Sequence, residues 1–227
     1  MNRYSKYIIF LNNRYCRQDN DFYLGCLPNK VSIAADGGIR FFLTNKIAPD
    51  ILIGDFDSAP RLSKSYLREI EVIQFPAIKD KTDSQLALEL ALTRGAREVE
   101  ICGALSVSEI DHTLGNIFIL EIAKRYQKKY NLEISARIVD PRKTIYLLEN
   151  ESVNLTGKPG HYVSIIPLVS KCRVKYDGLE YPAPAKTISA GDSLTLRNRF
   201  KGHRARISAA GKVLVINYSS LPKNCRQ

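Results

Sequence analysis

Short, nearly continuous apolar runs punctuate the first hundred residues: Tyr7 to Leu11, Val31 to Ala35, Ile51 to Ile53, Glu71 to Phe75 and Val99 to Cys102. Runs this short and this hydrophobic suit strands buried on both faces of a parallel sheet. Between the fourth and fifth runs the period lengthens. Leu86, Ala87, Leu90 and Ala91 then share one face of a helix over residues 84 to 94, and Gly95 stands where such a helix stops. Thr82, with Gln85 three positions on, forms a capping-box pair that places Asp83 in the first turn. A second helix is predicted from Thr113 through Lys129, with Ile117 and Leu120 inward and Lys124, Arg125, Lys128 and Lys129 toward its carboxyl end, where the helix dipole favours cations. Another strand, Ser135 to Val139, follows.

Strand and helix in alternation predict a layered α/β domain with a largely parallel sheet. After Pro141 the helical period disappears. Lys143 to Leu148, Tyr162 to Ile166, Arg173 to Tyr176, Ser193 to Leu196, Ala205 to Ser208 and Lys212 to Tyr218 read as strands divided by glycine and proline turns. That pattern predicts an all-β domain, an antiparallel sandwich or barrel. The expected organisation is an α/β domain over residues 1–145 and a β domain over residues 146–227.

Composition changes this picture only in its charge. The chain of 227 residues is long enough to bury a core without metal or disulfides, and its 44% hydrophobic and 25% charged residues are ordinary for a folded protein. The net charge is +11, and it is lopsided: residues 1–145 hold 21 basic and 18 acidic residues, residues 146–227 hold 13 and 5. The basic residues are interspersed and aromatic residues do not alternate with them. A solvated basic face is therefore the first reading, a small phosphorylated ligand the second and nucleic acid the last.

Cys16, Cys26, Cys102, Cys172 and Cys225 are scattered and odd in number, which speaks for reduced thiols and a cytoplasmic protein. The apolar run at the amino terminus is too short for a signal segment, and no stretch approaches the ~20 apolar residues of a membrane span.

The chemistry concentrates where the apolar runs end. Ile51-Leu52-Ile53 leads through Gly54 to Asp55 and Asp57, two carboxylates two positions apart at a strand end, with Ser58 beside them. Magnesium takes oxygen ligands and combines one or two carboxylates with water and substrate phosphate. Asp80 and Asp83 flank Lys81 and Thr82, with Lys79 adjacent, so carboxylates and phosphate-binding cations meet at a predicted helix start. Asp36-Gly37-Gly38 follows the second strand and offers backbone N–H groups to phosphate. Asp111 and His112 lead into the second helix. There is no GxGxxG after the first strand, no GxxxxGK[ST] and no GxSxG, and His161 and His203 lack zinc-ligand spacing.

Taken together, Asp36-Gly37-Gly38, Gly54-Asp55-Phe56-Asp57-Ser58, Asp80-Lys81-Thr82-Asp83, Gly103-Ala104-Leu105 and Asp111-His112-Thr113-Leu114-Gly115-Asn116 resemble the thiamine pyrophosphokinase family in order and spacing over nearly the whole chain. Ser164 to Leu168, Gly178 to Pro182 and Asn198 resemble elements of its carboxyl-terminal β domain. The resemblance implies transfer of the pyrophosphoryl group of ATP, a co-substrate, to the hydroxyl of thiamine, with Mg2+ bound, in a homodimer whose sites combine both domains. It implies catalytic and metal-binding roles for Asp55, Asp57 and Asp83. Asp36, Gly37, Gly38, Asp80, Lys81, Thr82, Asp111 and His112 fall on its nucleotide side, and Ser58 and Asn198 on its acceptor side.

Two departures bear on the acceptor. The family's Gly-Gly-Arg segment is replaced by Ser106-Val107-Ser108-Glu109-Ile110, which removes a guanidinium, and its Ser-Asn-Glu becomes Arg197-Asn198-Arg199. A related pyrophosphokinase with another hydroxylated acceptor and a non-catalytic nucleotide, metabolite or nucleic-acid binding protein are the alternatives.

Overall fold

In the computed structural model, which describes residues 5–56, 60, 62–76, 80–106, 109–181 and 183–219, the apolar runs become strands β1 (Lys6–Phe10), β2 (Val31–Ala35), β3 (Ile51–Gly54), β4 (Glu71–Gln74), β5 (Glu98–Cys102) and β6 (Ser135–Asp140). All pair in parallel, in the order β6-β5-β1-β2-β3-β4. Helices α1 (Asn20–Cys26), α2 (Ile39–Thr44), α3 (Lys64–Leu67), α4 (Asp83–Thr93), α5 (Ile110–Phe118) and α6 (Leu120–Tyr130) join them. The chain divides into two compact units, Met1–Asp140 and Pro141–Gln227. The first is this mixed α/β layer. Its core includes an aromatic cluster in which Phe10 stacks on Phe41 at 4.4 Å and meets Phe42 edge-on at 5.0 Å.

Two details differ from the sequence reading. The buried face of α4 is Ser84, Ala87, Leu88, Ala91 and Leu92, turned from the predicted stripe, so that Leu86 and Leu90 are only half-buried. The apolar residues of this helix nearly surround it, and packing on the sheet rather than periodicity chose the inward side. The helix predicted from Thr113 through Lys129 is two helices, broken at Ile119. Ile119 and Leu120 are buried, whereas no residue of α5 is. The break lets α6 pack on the sheet while α5 stands off it.

The second unit carries strands β7 (Lys143–Glu149), β8 (Ser152–Thr156), β9 (Tyr162–Pro167), β10 (Cys172–Asp177), β11 (Ala183–Ile188), β12 (Asn198–Arg199), β13 (Arg204–Ala210) and β14 (Lys212–Tyr218). They pair antiparallel as β12-β9-β14-β7 and as β11-β10-β13-β8. Both sets contribute to one core, Val163, Ile165, Val213 and Val215 from the first, Leu155, Val174 and Ile207 from the second. Ser193 to Leu196 is not a strand. Leu196 N–H closes a turn on Ser193 O (3.1 Å), and Thr195 is clipped to Ile165 by backbone and hydroxyl hydrogen bonds of 2.9 and 2.6 Å. Its alternating leucines face solvent, so alternation there did not report burial.

Candidate active site

β1, β2 and β5 lie side by side at the middle of the parallel sheet, and the chain runs outward from β1 in both directions. In such a sheet a crevice opens beyond the carboxyl ends of the strands where the order reverses, and ligands bind there. A crevice of about 580 Å³ occupies that position. A volume of this order holds a nucleotide-sized ligand. Its floor is Leu11 and Asn12 after β1, Ala35 at the end of β2 and Asp36 after it, and its walls are the amino-terminal turn of α4 and the face of α5 from Glu109 to Asn116.

Backbone constraints shape the floor. Asp36 is buried and adopts a left-handed φ of 44°, a conformation costly for a residue with a side chain. Gly54, at the end of β3, has φ 151°, and a Cβ there would lie 3.1 Å from Asp36 Cβ. The glycine therefore lets β3 close against the Asp36 turn. Gly37 and Gly38 are buried in a 3-10 turn; a Cβ on Gly38 would meet Phe10 O at 2.0 Å and one on Gly37 would meet Asn12 Oδ1 at 2.2 Å. Neither lines the crevice. Their smallness packs the Asp36 turn against the end of β1.

The wall next to β5 is latched by side chains. Asn13 Nδ2 donates to Gly103 O and Leu105 O, both at 2.9 Å, and Thr113 Oγ1 accepts from Ser106 N–H (2.8 Å) while donating to Ser106 O (2.7 Å). Tyr15 donates its hydroxyl to Leu11 O at 2.8 Å, directly under Gly103, where φ is 74° and a Cβ would strike that hydroxyl at 2.3 Å. Burial pushes the Tyr15 phenol well up, so it stays a neutral donor.

Two helix starts face the same space. Thr82 caps α4 by accepting from Gln85 N–H at 3.3 Å, and Thr82, Asp83, Ser84 and Gln85 line the crevice. The reciprocal half of the predicted capping box does not form, because Gln85 Nε2 donates to Glu89 Oε1 instead (2.9 Å). α5 begins at Ile110 with no side-chain cap, and Glu109, Asp111, His112, Gly115 and Asn116 line the opposite wall. Uncapped N–H groups and the positive ends of two helix dipoles make the space receptive to an anion such as phosphate.

Asp36, Asp83, Asp111 and His112 thus come together around one crevice, as does Thr82. Asp80 and Lys81 precede α4 on the exposed side, and Lys81 is held to Glu89 at 2.7 Å. Asp55 follows Gly54 directly; Asp57 and Ser58 lie outside the described residues. Asn198 is in the second unit, buried, with its carboxamide committed to backbone: Nδ2 donates to Tyr181 O (2.9 Å) and Oδ1 accepts from Tyr181 and Arg199 N–H (3.1 and 2.8 Å). Asn12 and Ser84 are lining residues that the sequence reading passed over, and Glu109 is one it named only within the segment that departs from the family pattern. The signal for Asn12 was its place, a polar residue just past a buried parallel strand.

The donors around the crevice are oxygen atoms apart from one imidazole, the chemistry of magnesium rather than zinc. Among the described residues no three carboxylate, histidine or cysteine groups cluster closely enough to hold a metal by themselves. Magnesium bound through one or two carboxylates, water and phosphate does not require three.

Residues 27–134, which carry β2 to α6, match the family model described as thiamin pyrophosphokinase, catalytic domain. Thiamine pyrophosphokinase of Bacillus subtilis (strain 168) is 28% identical over 191 residues, which cover 81% of this chain and 85% of the relative. Sequence and structure match the thiamine pyrophosphokinase family, at moderate identity. The crystal structure of thiamine pyrophosphokinase from Bacillus subtilis superposes with a TM-score of 0.77 at 25% identity, over 95% of this chain and 100% of that one. That of thiamin pyrophosphokinase from Geobacillus thermodenitrificans gives 0.74 at 26% identity, over 96% and 98%. The matched segment contains Asp36, Asp83, Asp111 and His112 of the crevice, whereas Leu11 and Asn12 of its floor precede it.

Proposed function

We propose that this chain transfers the pyrophosphoryl group of ATP to the hydroxyl of thiamine, yielding thiamine diphosphate and AMP. The observation that carries this reading is the crevice between two helix starts, ringed by Asp36, Asp83 and Asp111, three carboxylates that all fall in the segment matching the family model. The acceptor oxygen bonds to the β-phosphorus, the bond from that phosphorus to the α–β bridging oxygen breaks, and AMP departs with it. The hydroxyl proton is released.

Such transfer needs alignment and charge neutralisation rather than a covalent protein intermediate. The amino-terminal N–H groups of α4 and α5 receive phosphate oxygens, and Asp111 and His112 complete the nucleotide side. Asp55, Asp57 and Asp83 would hold Mg2+, which supplies neutralisation of the phosphate charge when bound. Asp36 and Asp80 position nucleotide or acceptor, and Lys81 serves phosphate by exchanging Glu89 for it. On the acceptor side, with Ser58, Asn198 acts through the Tyr181 backbone it holds. The two sheets of the second unit are read as a sandwich.

The working molecule is a homodimer in this reading. Ile110, Leu114 and Phe118 recur one turn apart along α5 and are 65%, 48% and 47% exposed, an apolar stripe on a helix that also lines the site.

One observation favours a different hydroxylated acceptor. The guanidinium groups of Arg197 and Arg199 both lie over the Tyr162 ring, at 5.6 and 5.5 Å, where the family's pattern has no cation. Two arginines repel a thiazolium and attract an anion.

Chromatography of purified protein incubated with Mg2+, ATP and thiamine tests the proposal. AMP and thiamine diphosphate in equal amounts support it. AMP without thiamine diphosphate moves the reading to the other acceptor, and neither product from folded protein defeats both. Asp55→Asn is expected to lower turnover by roughly 100-fold or more, as loss of a preorganised charge in the site does, with an unchanged circular dichroism spectrum. Full activity in that variant removes Asp55 from the site.

A further inference from the structure

The second unit, Pro141–Gln227, contains 15 basic and 5 acidic residues, which is most of the excess charge of the chain. Interspersed in sequence, these cations are collected by the pleat. On β10 the burial alternates, with Cys172, Val174 and Tyr176 inward and Arg173, Lys175 and Asp177 outward. On β13 Ala205, Ile207 and Ala209 are inward and Arg204 and Arg206 outward. The register pairs Asp177 with Arg206 and Lys175 with Ser208, so Arg173, Lys175, Arg206 and Arg204 occupy four successive outward rows of neighbouring strands. Rows repeat every ~6.8 Å along a strand, so the four cations form a file about 20 Å long and roughly one strand spacing wide.

One carboxylate, Asp177, stands in the file against the four cations. Among the described residues no side-chain hydrogen bond or ion pair engages any of the four cations. Asp177, the acid beside Arg206, has its Oδ1 turned to Gly178 N–H at 2.8 Å. Next to the file, Asn154 and Thr156 stand opposite Arg206 and Arg204 on β8, and with them line a groove of about 490 Å³. Cations in file, flanked by neutral hydrogen-bonding groups, fit phosphates in file. Tyr176 points inward, and among the described residues β8, β10 and β13 place no aromatic ring on this face on which an unpaired base can stack, which selects a duplex over a single strand. A lipid surface presents charge in a plane and has no counterpart to a single row.

We propose that the outer face of β10 and β13 is a binding surface for the phosphate backbone of a nucleic-acid duplex, without sequence preference. The surface is independent of the pyrophosphokinase reading and uses none of its residues.

Fluorescence anisotropy of the full chain with a labelled DNA duplex, titrated between 50 and 200 mM salt, tests this. Neutralising four phosphates gives a slope of log K against log salt of about −3.6, or about a 150-fold loss of affinity over that range. In Arg204→Ser/Arg206→Ser the slope is expected to halve, to about −1.8, with turnover of ATP unchanged. Arg173→Ser/Lys175→Ser, on the other strand, is expected to do the same, so the test survives if one variant fails to fold. An unchanged slope in both folded variants, tighter binding of single-stranded DNA, or binding of anionic phosphatidylserine vesicles in place of the duplex would each overturn the proposal.

Discussion

Gly38 and Gly115 show how differently one residue type serves this fold. At Gly38 a Cβ would sit 2.0 Å from the carbonyl oxygen of Phe10, a backbone atom that cannot step aside. Gly38→Ala is expected to cost roughly 1–3 kcal/mol, as overpacking in a fixed backbone does, read as a shifted midpoint in urea unfolding. Gly115 has open space around it and faces the crevice from within α5. Gly115→Ala is therefore expected to stabilise the helix by up to about 1 kcal/mol while weakening ATP binding, a split that calorimetric melting and ligand titration resolve. Glu109 is exposed on the crevice wall, in the segment where the family's arginine is missing. With ATP in the crevice as proposed, Glu109→Gln would remove a repulsion with phosphate and is expected to tighten ATP roughly threefold at low salt, with the gain screened at high salt. The sequence made Asp36, Asp83, Asp111 and His112 legible because carboxylates at strand ends and helix starts are local signals. It did not reveal how closely Gly37 and Gly38 approach Asn12 and Phe10, since that depends on where the end of β1 lies.

At the scale of elements, the amino terminus of α4 is the most informative. Thr82 alone caps it, because Glu89 draws both Gln85 and Lys81 to the helix side. Thr82→Ala is expected to lower stability by about 1 kcal/mol, seen as a lower melting temperature, and to loosen the turn that carries Asp83. The parallel strands were legible almost residue by residue, since burial on both faces leaves an unbroken apolar run. The α5–α6 break was not, because the apolar period continues through Ile119 and only the sheet decides which turns rest on it. The turn at Ser193 to Leu196 misleads for the related reason that alternation of Leu194 and Leu196 with polar residues is indifferent to which side is covered.

For the whole molecule, the apolar stripe on α5 gives the proposed homodimer a direct test. Leu114→Glu places a charge in the middle of that stripe and is expected to convert a dimer to a monomer in sedimentation velocity, with loss of transfer activity but not of fold. A dimer that survives this change with full activity removes α5 from the interface. Among the described residues no helix is long and apolar enough to cross a membrane.

Consecutive residues carried the parallel α/β layer, the all-β character of the second unit and the resemblance to the thiamine pyrophosphokinase family, because burial, period and the order of short motifs are local. Tertiary structure settled which of the motif residues share the crevice, how tightly the glycines beside Asp36 are packed, and that scattered arginines and lysines stand in a single file. Each of those depends on distances between residues far apart in the chain, and strand order, register and the break at Ile119 set those distances rather than any local pattern.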